Sequence, residues 1–327
     1  MTKTWKLRAV ALAAICVMPA AQASVLQVQG IDLGGTTFYD GFSSTKPGWA
    51  YLGYFQTSQA THVEDNNGND VAAFKSPDIR ASVWINQIAY TSPITLFNGT
   101  AHLGFTALVG LVNFDPSFAA DSPLKLTSTG GVGDITFGPS LQFNPIMRHG
   151  RPVYSQRVAA NLIAPTGRYS SNLNMSPGAN IWSFNPYWSA TWLPTDKLEV
   201  SWRLSYIYNF KNTRPAALPP TVTSTQAGQA AWLNFSSSYA LTRGFELGLN
   251  GYYYKQLTSD TYKYSDGSSN TGALFGDSGK NEIFAIGPGL HWVINKNNIL
   301  NVNLYFQTMA KNTLRGRALN LMWVHPL

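Results

Sequence analysis

Side chains capable of chemistry are sparse in this sequence and badly spaced for catalysis. No GxSxG elbow, HExxH helix, Walker loop, CxxC pair or GxGxxG fingerprint occurs. The single cysteine, Cys16, falls inside an N-terminal apolar run. The acidic stretch EDNNGND at 64–70 has the composition of a calcium loop. It lacks the glycine needed at the sixth position of an EF-hand and reads as a solvated loop. The residues therefore predict no enzyme, no metal site and no cofactor. What remains is a set of charged and amide side chains sharing faces of long alternating segments: Arg80, His102, Asp134, Arg157, Asn161, Glu199, Arg203, Asn209, Glu246, Asn250, Asn301, Asn303 and Gln307. Enclosed together, such groups either cross-link into a bracing network or select a solute by charge and hydrogen bonding.

The elements that position them alternate with a period of two. In 198–210 Leu198, Val200, Trp202, Leu204, Tyr206, Tyr208 and Phe210 fall on one side, and Glu199, Ser201, Arg203, Ser205 and Asn209 on the other. A period of two is a strand. Strands are predicted at about 48–60, 78–90, 99–113, 131–144, 152–164, 180–193, 197–211, 225–241, 244–258, 281–294, 298–310 and 314–326. Long polar connections at 61–77, 114–130, 165–179, 212–224 and 259–280 alternate with short turns at 91–98, 145–151, 194–197, 241–244 and 295–298. That alternation, with an even strand number, is the pattern of an outer-membrane barrel with short periplasmic turns and longer external loops. A soluble β-sandwich also has many strands, but it needs polar outer faces and more charge than the 12% found here, beside 13% aromatic residues. The predicted fold is all-β, a transmembrane antiparallel up-and-down β-barrel of about 12 strands. Trp188, Trp192, Trp292 and Trp323 are expected at its periplasmic rim.

At the N-terminus, Lys3, Lys6 and Arg8 precede the apolar run Ala9 to Met18 and the small residues of Ala21-Gln22-Ala23. Residues 1–23 read as a signal peptide, which leaves a mature chain without cysteine and with a small basic excess. Scattered bases of this kind exclude a nucleic-acid partner. Residues 24–47 lack alternation and read either as a disordered leader or as a plug entering the lumen from the periplasm; Phe38, Tyr39 and Phe42, unusual in a solvated leader, favour the plug. The barrel itself is assigned to 48–327. Twelve strands leave a lumen between a filled interior and an open aqueous channel. Tyr252, Tyr254, Tyr262 and Tyr264 are read either as a stacking platform for planar solutes or as an interfacial girdle.

GVGDITFGP at 131–139, APTGRY at 164–169, NIWSFNPYWSATWLP at 180–194, YNFKN at 208–212, GYYYKQLTSD at 251–260 and IGPGL at 286–290 occur in one order, after KPGWAYLGY at 46–54. In this order they resemble the outer-membrane transporter family of meta-pathway phenol degradation proteins, which includes a sphingosine-responsive porin. The resemblance implies a channel for passive uptake of hydrophobic or aromatic small molecules, and it supplies no catalytic residue. The implied place is the outer membrane of a Gram-negative bacterium, reached by signal-directed export. The implied partners are the lipid bilayer, lipopolysaccharide, the barrel assembly machinery and a hydrophobic or aromatic solute. A non-conducting structural or adhesive barrel is the alternative, and an outer-membrane lipid-modifying enzyme a weaker one. None of His62, His102, His149, His291 or His325 has a serine two residues on, the spacing that a barrel phospholipase uses.

Overall fold

The computed structural model describes residues 31–123, 125–215, 221–271 and 280–327. The signal peptide expected at 1–23 lies outside them, as do residues 24–30. The strands are β1 (Gly48–Val63), β2 (Asp78–Leu96), β3 (Ala101–Ser117), β4 (Thr129–Val132), β5 (Ile135–Phe143), β6 (Ile146–Arg148), β7 (Arg151–Ala164), β8 (Ser183–Trp192), β9 (Leu198–Asn209), β10 (Val222–Gln226), β11 (Ala230–Thr242), β12 (Phe245–Gln256), β13 (Thr261–Tyr264), β14 (Ser269–Thr271), β15 (Glu282–Asn295), β16 (Asn298–Lys311) and β17 (Leu314–Pro326). Both β4 and β5 pair with β3, and both β5 and β6 with β7, so these three pieces form one interrupted stave. All staves run antiparallel to their neighbours, and β17 pairs with β1 from Ala50↔Pro326 to Val63↔Leu314. The result is a closed barrel of twelve staves. Closure leaves no strand edge unpaired, which is the condition for crossing hydrocarbon with strands.

Alternation decides which face of each stave turns inward. On β9 Glu199, Ser201, Arg203, Ser205, Ile207 and Asn209 are buried, while Leu198, Val200, Trp202, Leu204, Tyr206 and Tyr208 are half-exposed or exposed. The polar face is therefore the inner one. Phe55, Trp84, Phe105, Leu111, Phe137, Leu204, Leu249 and Phe306 form part of an apolar outer surface. Trp192, Trp292 and Trp323, joined by Trp49, are exposed near the short-turn end. An indole there keeps its ring in the apolar band and its N–H toward water. Trp188 sits further along its stave, edge-on to Trp202 at 5.8 Å, with Nε1 donating to Gln156.

The connections have two lengths. Residues 97–100, 149–150, 193–197, 243–244 and 296–297 make the tight turns of one end. The other end carries the long connections and one short one, residues 312–313 between β16 and β17, and on two of the long ones β10, β13 and β14 form a separate three-stranded sheet. Beneath the long connections Ala60, Val63, Phe74, Ile79, Phe114 and Leu126 cluster, with Val71, Phe118 and Met175 against them.

Candidate functional site

Residues 31–42 lie inside the barrel. The chain reaches them from the short-turn end, where Ser44 accepts a hydrogen bond from Thr91 and β1 begins at Gly48. Nothing in this segment has the periodicity of a strand. Its backbone is held instead by side chains of the wall. Gly34 N donates to Asn234 Oδ1 at 3.1 Å, and Tyr305 donates to Gly34 O at 2.8 Å. Gly41 N donates to Thr191 at 2.9 Å, while Ser155 and Gln142 donate to Gly41 O at 2.9 and 3.1 Å. Two glycines are required by space. Gly34 has a left-handed φ of +71°, and a Cβ there would lie 2.6 Å from Tyr305 Cε2. A Cβ on Gly41 would fall 2.5 Å from Ser155 O and 2.6 Å from the carbonyl carbon of Ala190.

At the centre is a row of side chains set by strand register: Gln142, Arg157, Ser189, Arg203, Asn234 and Tyr252 stand opposite one another across β5, β7, β8, β9, β11 and β12. The Asp40 carboxylate faces the two arginines. Arg203 donates through Nε and Nη2, at 2.6 Å each, to the two oxygens of Asp40, and Arg157 Nη2 adds a bond of 3.2 Å. Ser189 donates to Asp40 O at 3.0 Å. The Tyr187 ring lies under both guanidiniums, 4.1 Å from Arg203 and 5.7 Å from Arg157. Asp32 is the second acid, 3.3 Å from Arg203 Nη1 and tied to Thr36 and the Gly35 amide. Burial pushes the Asp32 carboxyl up from its usual range, and the Arg203 guanidinium opposes that rise. Paired, forked ion pairs of this kind are the strong ones, because both charges keep several partners when they leave water.

Nearer the short-turn end, Phe38 is buried with ring carbons 2.9 Å from where a Cβ would stand on Gly248 and Gly289, directly paired glycines of β12 and β15. The glycine pair leaves a notch that the ring fills. Tyr39 donates its backbone N–H to Glu199 at 3.0 Å and its hydroxyl to Glu246 at 2.6 Å, and its ring lies 4.7 Å from that of His291. Burial and the Glu246 carboxylate both hold the phenol proton in place. Phe42 is half-buried, 6.1 Å from Tyr39.

Residues 61–323 match the family described as MetA-pathway of phenol degradation. The chain belongs to that family. No curated protein matches the sequence. Among solved structures, an outer membrane channel from Pseudomonas putida F1 is similar with a TM-score of 0.72 at 16% identity, over 88% of this chain and 98% of that one. The transport unit of the autotransporter AIDA-I from Escherichia coli is more distant, with a TM-score of 0.49 at 10% identity over 96% and 98%. The first of these likenesses is one of fold.

Several of the inward-facing residues expected from this family member's sequence bond the segment directly: Arg157, Glu199, Arg203, Glu246 and, at Thr37, Asn303. Asn250 and Asn301 are buried beside them, Asn250 bonded to Leu304 O and Asn301 to His291. Asn161, Asn209 and Gln307 face the lumen nearer the long loops, where Asn209 binds Ser183 and Gln307 binds Tyr252. Asp134 sits in the break between β4 and β5 and takes the amides of Gly167 and Ala179, so it ties down a long loop. His102 is at the short-turn rim, bonded to Asn144.

Arg80 is a correction. It shares its face of β2 with exposed Trp84 and Ile88 and pairs with Asp78, so it stands on the outer surface. Ile79, Val83 and Ile85 point inward on this stave, so both of its faces are apolar in part and alternation could not tell them apart. The tyrosines are a second correction. Tyr252, Tyr254 and Tyr262 are buried, and the first two pack with Trp232, Ile207, Ile163, Ile283 and Tyr305. They form neither an open platform nor a girdle. In the 64–70 loop Asp65 caps the amides of Asn67 and Asn69. His62, Glu64 and Asp70 bring ligand atoms within 4.8 Å of one another, but Arg315 already occupies Glu64 and His62 binds Asp70. Sequence reasoning missed Asp32, Asp40, Ser189 and Tyr187. Two acids within nine residues, in a chain so poor in charge, were the available signal.

Proposed function

We propose that this protein is an outer-membrane channel for the passive uptake of hydrophobic or aromatic small molecules, in which residues 31–42 are a plug seated from the periplasmic side. One observation carries the reading: the cross-section at Arg157 and Arg203 is filled by a segment that is not part of the wall and is held there chiefly by hydrogen bonds and ion pairs. A barrel that served only as a scaffold would fill that space with wall side chains, as eight-stranded barrels do. Family membership supports the solute class. So does the apolar cluster around Phe74, Phe114 and Leu126, which is packed beneath the long loops and becomes a surface for a solute when those loops part, each methylene-sized unit leaving water gaining about 0.8 kcal/mol. An apolar solute would collect there, descend past the buried tyrosines and pass when the plug withdraws. No residue is given a covalent role, and the protein is proposed not to be an enzyme. Bilayer lipid would cover the outer band, with lipopolysaccharide beside Arg80 and Arg317 at the external rim.

The test is solute flux. Purified barrel in liposomes should admit phenol-like solutes faster than sugars of similar size, and removal of residues 24–46 should raise single-channel conductance in planar bilayers. Equal impermeability to both solutes, with and without those residues, would refute the channel and leave a structural or adhesive barrel.

A further inference from the structure

We infer that the Arg157, Arg203 and Tyr187 constellation is a carboxylate-binding site of the lumen, occupied in the closed state by the chain's own Asp40, and that the solutes it takes are aromatic carboxylates. This inference rests on the channel reading above and adds a chemical class to it.

The charge balance of the central row is the reason. At this height the wall contributes two guanidiniums and no acid, and both neutralising carboxylates, Asp32 and Asp40, come from the segment. The nearest acid on β9 is Glu199, four residues from Arg203, which is about 13 Å of strand. It is already engaged with Tyr39 N, Ser201 and Ser238. When the segment leaves, two buried guanidiniums lose their partners. Facing an open lumen they take water, and a carboxylate that meets both forks binds them more strongly than water does. Geometry specifies the fit. Arg203 offers Nε and Nη2 side by side, the fork that fits the two oxygens of a carboxylate, and Arg157 adds a third donor to the same group. Asp40 therefore shows where the carboxylate of a solute sits. With the segment gone, the Tyr187 ring beside the guanidiniums and Tyr305, freed from Gly34 and 5.2 Å from Tyr252 at the end of the same row, are the aromatic side chains that a ring attached to that carboxylate would meet.

Two measurements on the full-length barrel with Asp40→Asn separate this site from the channel itself. Asparagine keeps the size of the side chain and removes its charge, and folding is checked by heat-modifiable migration on gels. The first measurement is equilibrium binding of benzoate and of benzyl alcohol in detergent. D40N should bind benzoate at least tenfold more tightly than the parent does and more tightly than it binds benzyl alcohol, and the added substitution Arg203→Gln should abolish that preference. The second is benzoate flux in planar bilayers, expected to rise in D40N and to fall again in the double variant. Conduction without any preference for benzoate in either assay would overturn the carboxylate site and leave the channel standing. Benzoate binding that depends on Arg203, in a barrel that conducts nothing, would keep the site and refute the channel.

Discussion

Gly41→Ala is the sharpest test of how the segment is seated. The added methyl would lie 2.5 Å from Ser155 O and 2.6 Å from the carbonyl carbon of Ala190, and closer still to Thr191 N. These are backbone atoms of β7 and β8, which pair through Ser155↔Thr191 and Gln156↔Ala190. The wall cannot yield without breaking its own ladder, so the segment must retreat. Retreat forfeits the bonds of Gly41 N to Thr191 and of Ser155 and Gln142 to Gly41 O. At about 1 kcal/mol net for each neutral bond, the loss is about 3 kcal/mol. Since 1.4 kcal/mol is a factor of ten, the ratio of unseated to seated segment should rise about a hundredfold. Single-channel recording at fixed voltage reads this directly as the frequency of large openings. An alanine variant that migrates as a folded barrel and opens as rarely as its parent would refute the reasoning. It would mean either that β7 and β8 adapt to the methyl or that the segment does not gate the lumen.

Two further outcomes follow from the same geometry. Phe38→Ala empties the notch between Gly248 and Gly289, and loss of a buried ring of this size costs about 3 kcal/mol. Limited proteolysis of the folded barrel should then cut within 31–42, Gly289→Val should do the same, and the two together should add little; fully additive effects would show that the ring and the notch are not partners. Asp260, in the connection after β12, is raised from 3.8 to about 7 by burial, against hydrogen bonds from Gly228 N and Gln256. With the docked value above the free one, docking of this loop is tightest below about pH 4 and weakens as the pH rises through 7. Hydrogen exchange at Gly228, corrected for intrinsic rate, should show this in the parent and lose it in Asp260→Asn; equal pH dependence in both would refute it.

Most of the wall was legible in the sequence because a half-wet stave repeats every two residues. The alternation in 198–210 predicts the face that β9 buries, residue by residue, and loop lengths predict the ends. Legibility failed where burial had a second source. On β2 the inward residues Ile79, Val83 and Ile85 include a contributor to the apolar mouth cluster, so Arg80 was assigned to the wrong face. Tyr252 and Tyr254 look like interface residues by type, yet they point into the lumen and pack with Trp232 and Tyr305. The strands β10, β13 and β14 were hidden because β10 pairs with β13 across two loops, 35 or more residues apart, and none of the three follows the barrel alternation. The aromatic residues of the segment were visible as unusual for a solvated leader. Its acids were not, because the meaning of Asp40 depends on Arg203, 163 residues away.

The placement of the seat has a consequence for how the barrel comes together. Asp40, Gly41, Tyr39 and Phe38 are gripped by β5, β7, β8, β9, β12 and β15, which with β11 between β9 and β12 form an unbroken run of neighbours without any help from the β1–β17 seam. That curved sheet presents the grip on residues 38–41 while its two edges are still apart. The barrel can therefore wrap around its own N-terminal segment as it closes, with no need to thread a charged strand of chain into a finished pore. The segment's three glycines and two acids are then in place as a template for the curvature of the sheet before the last pair of strands meets.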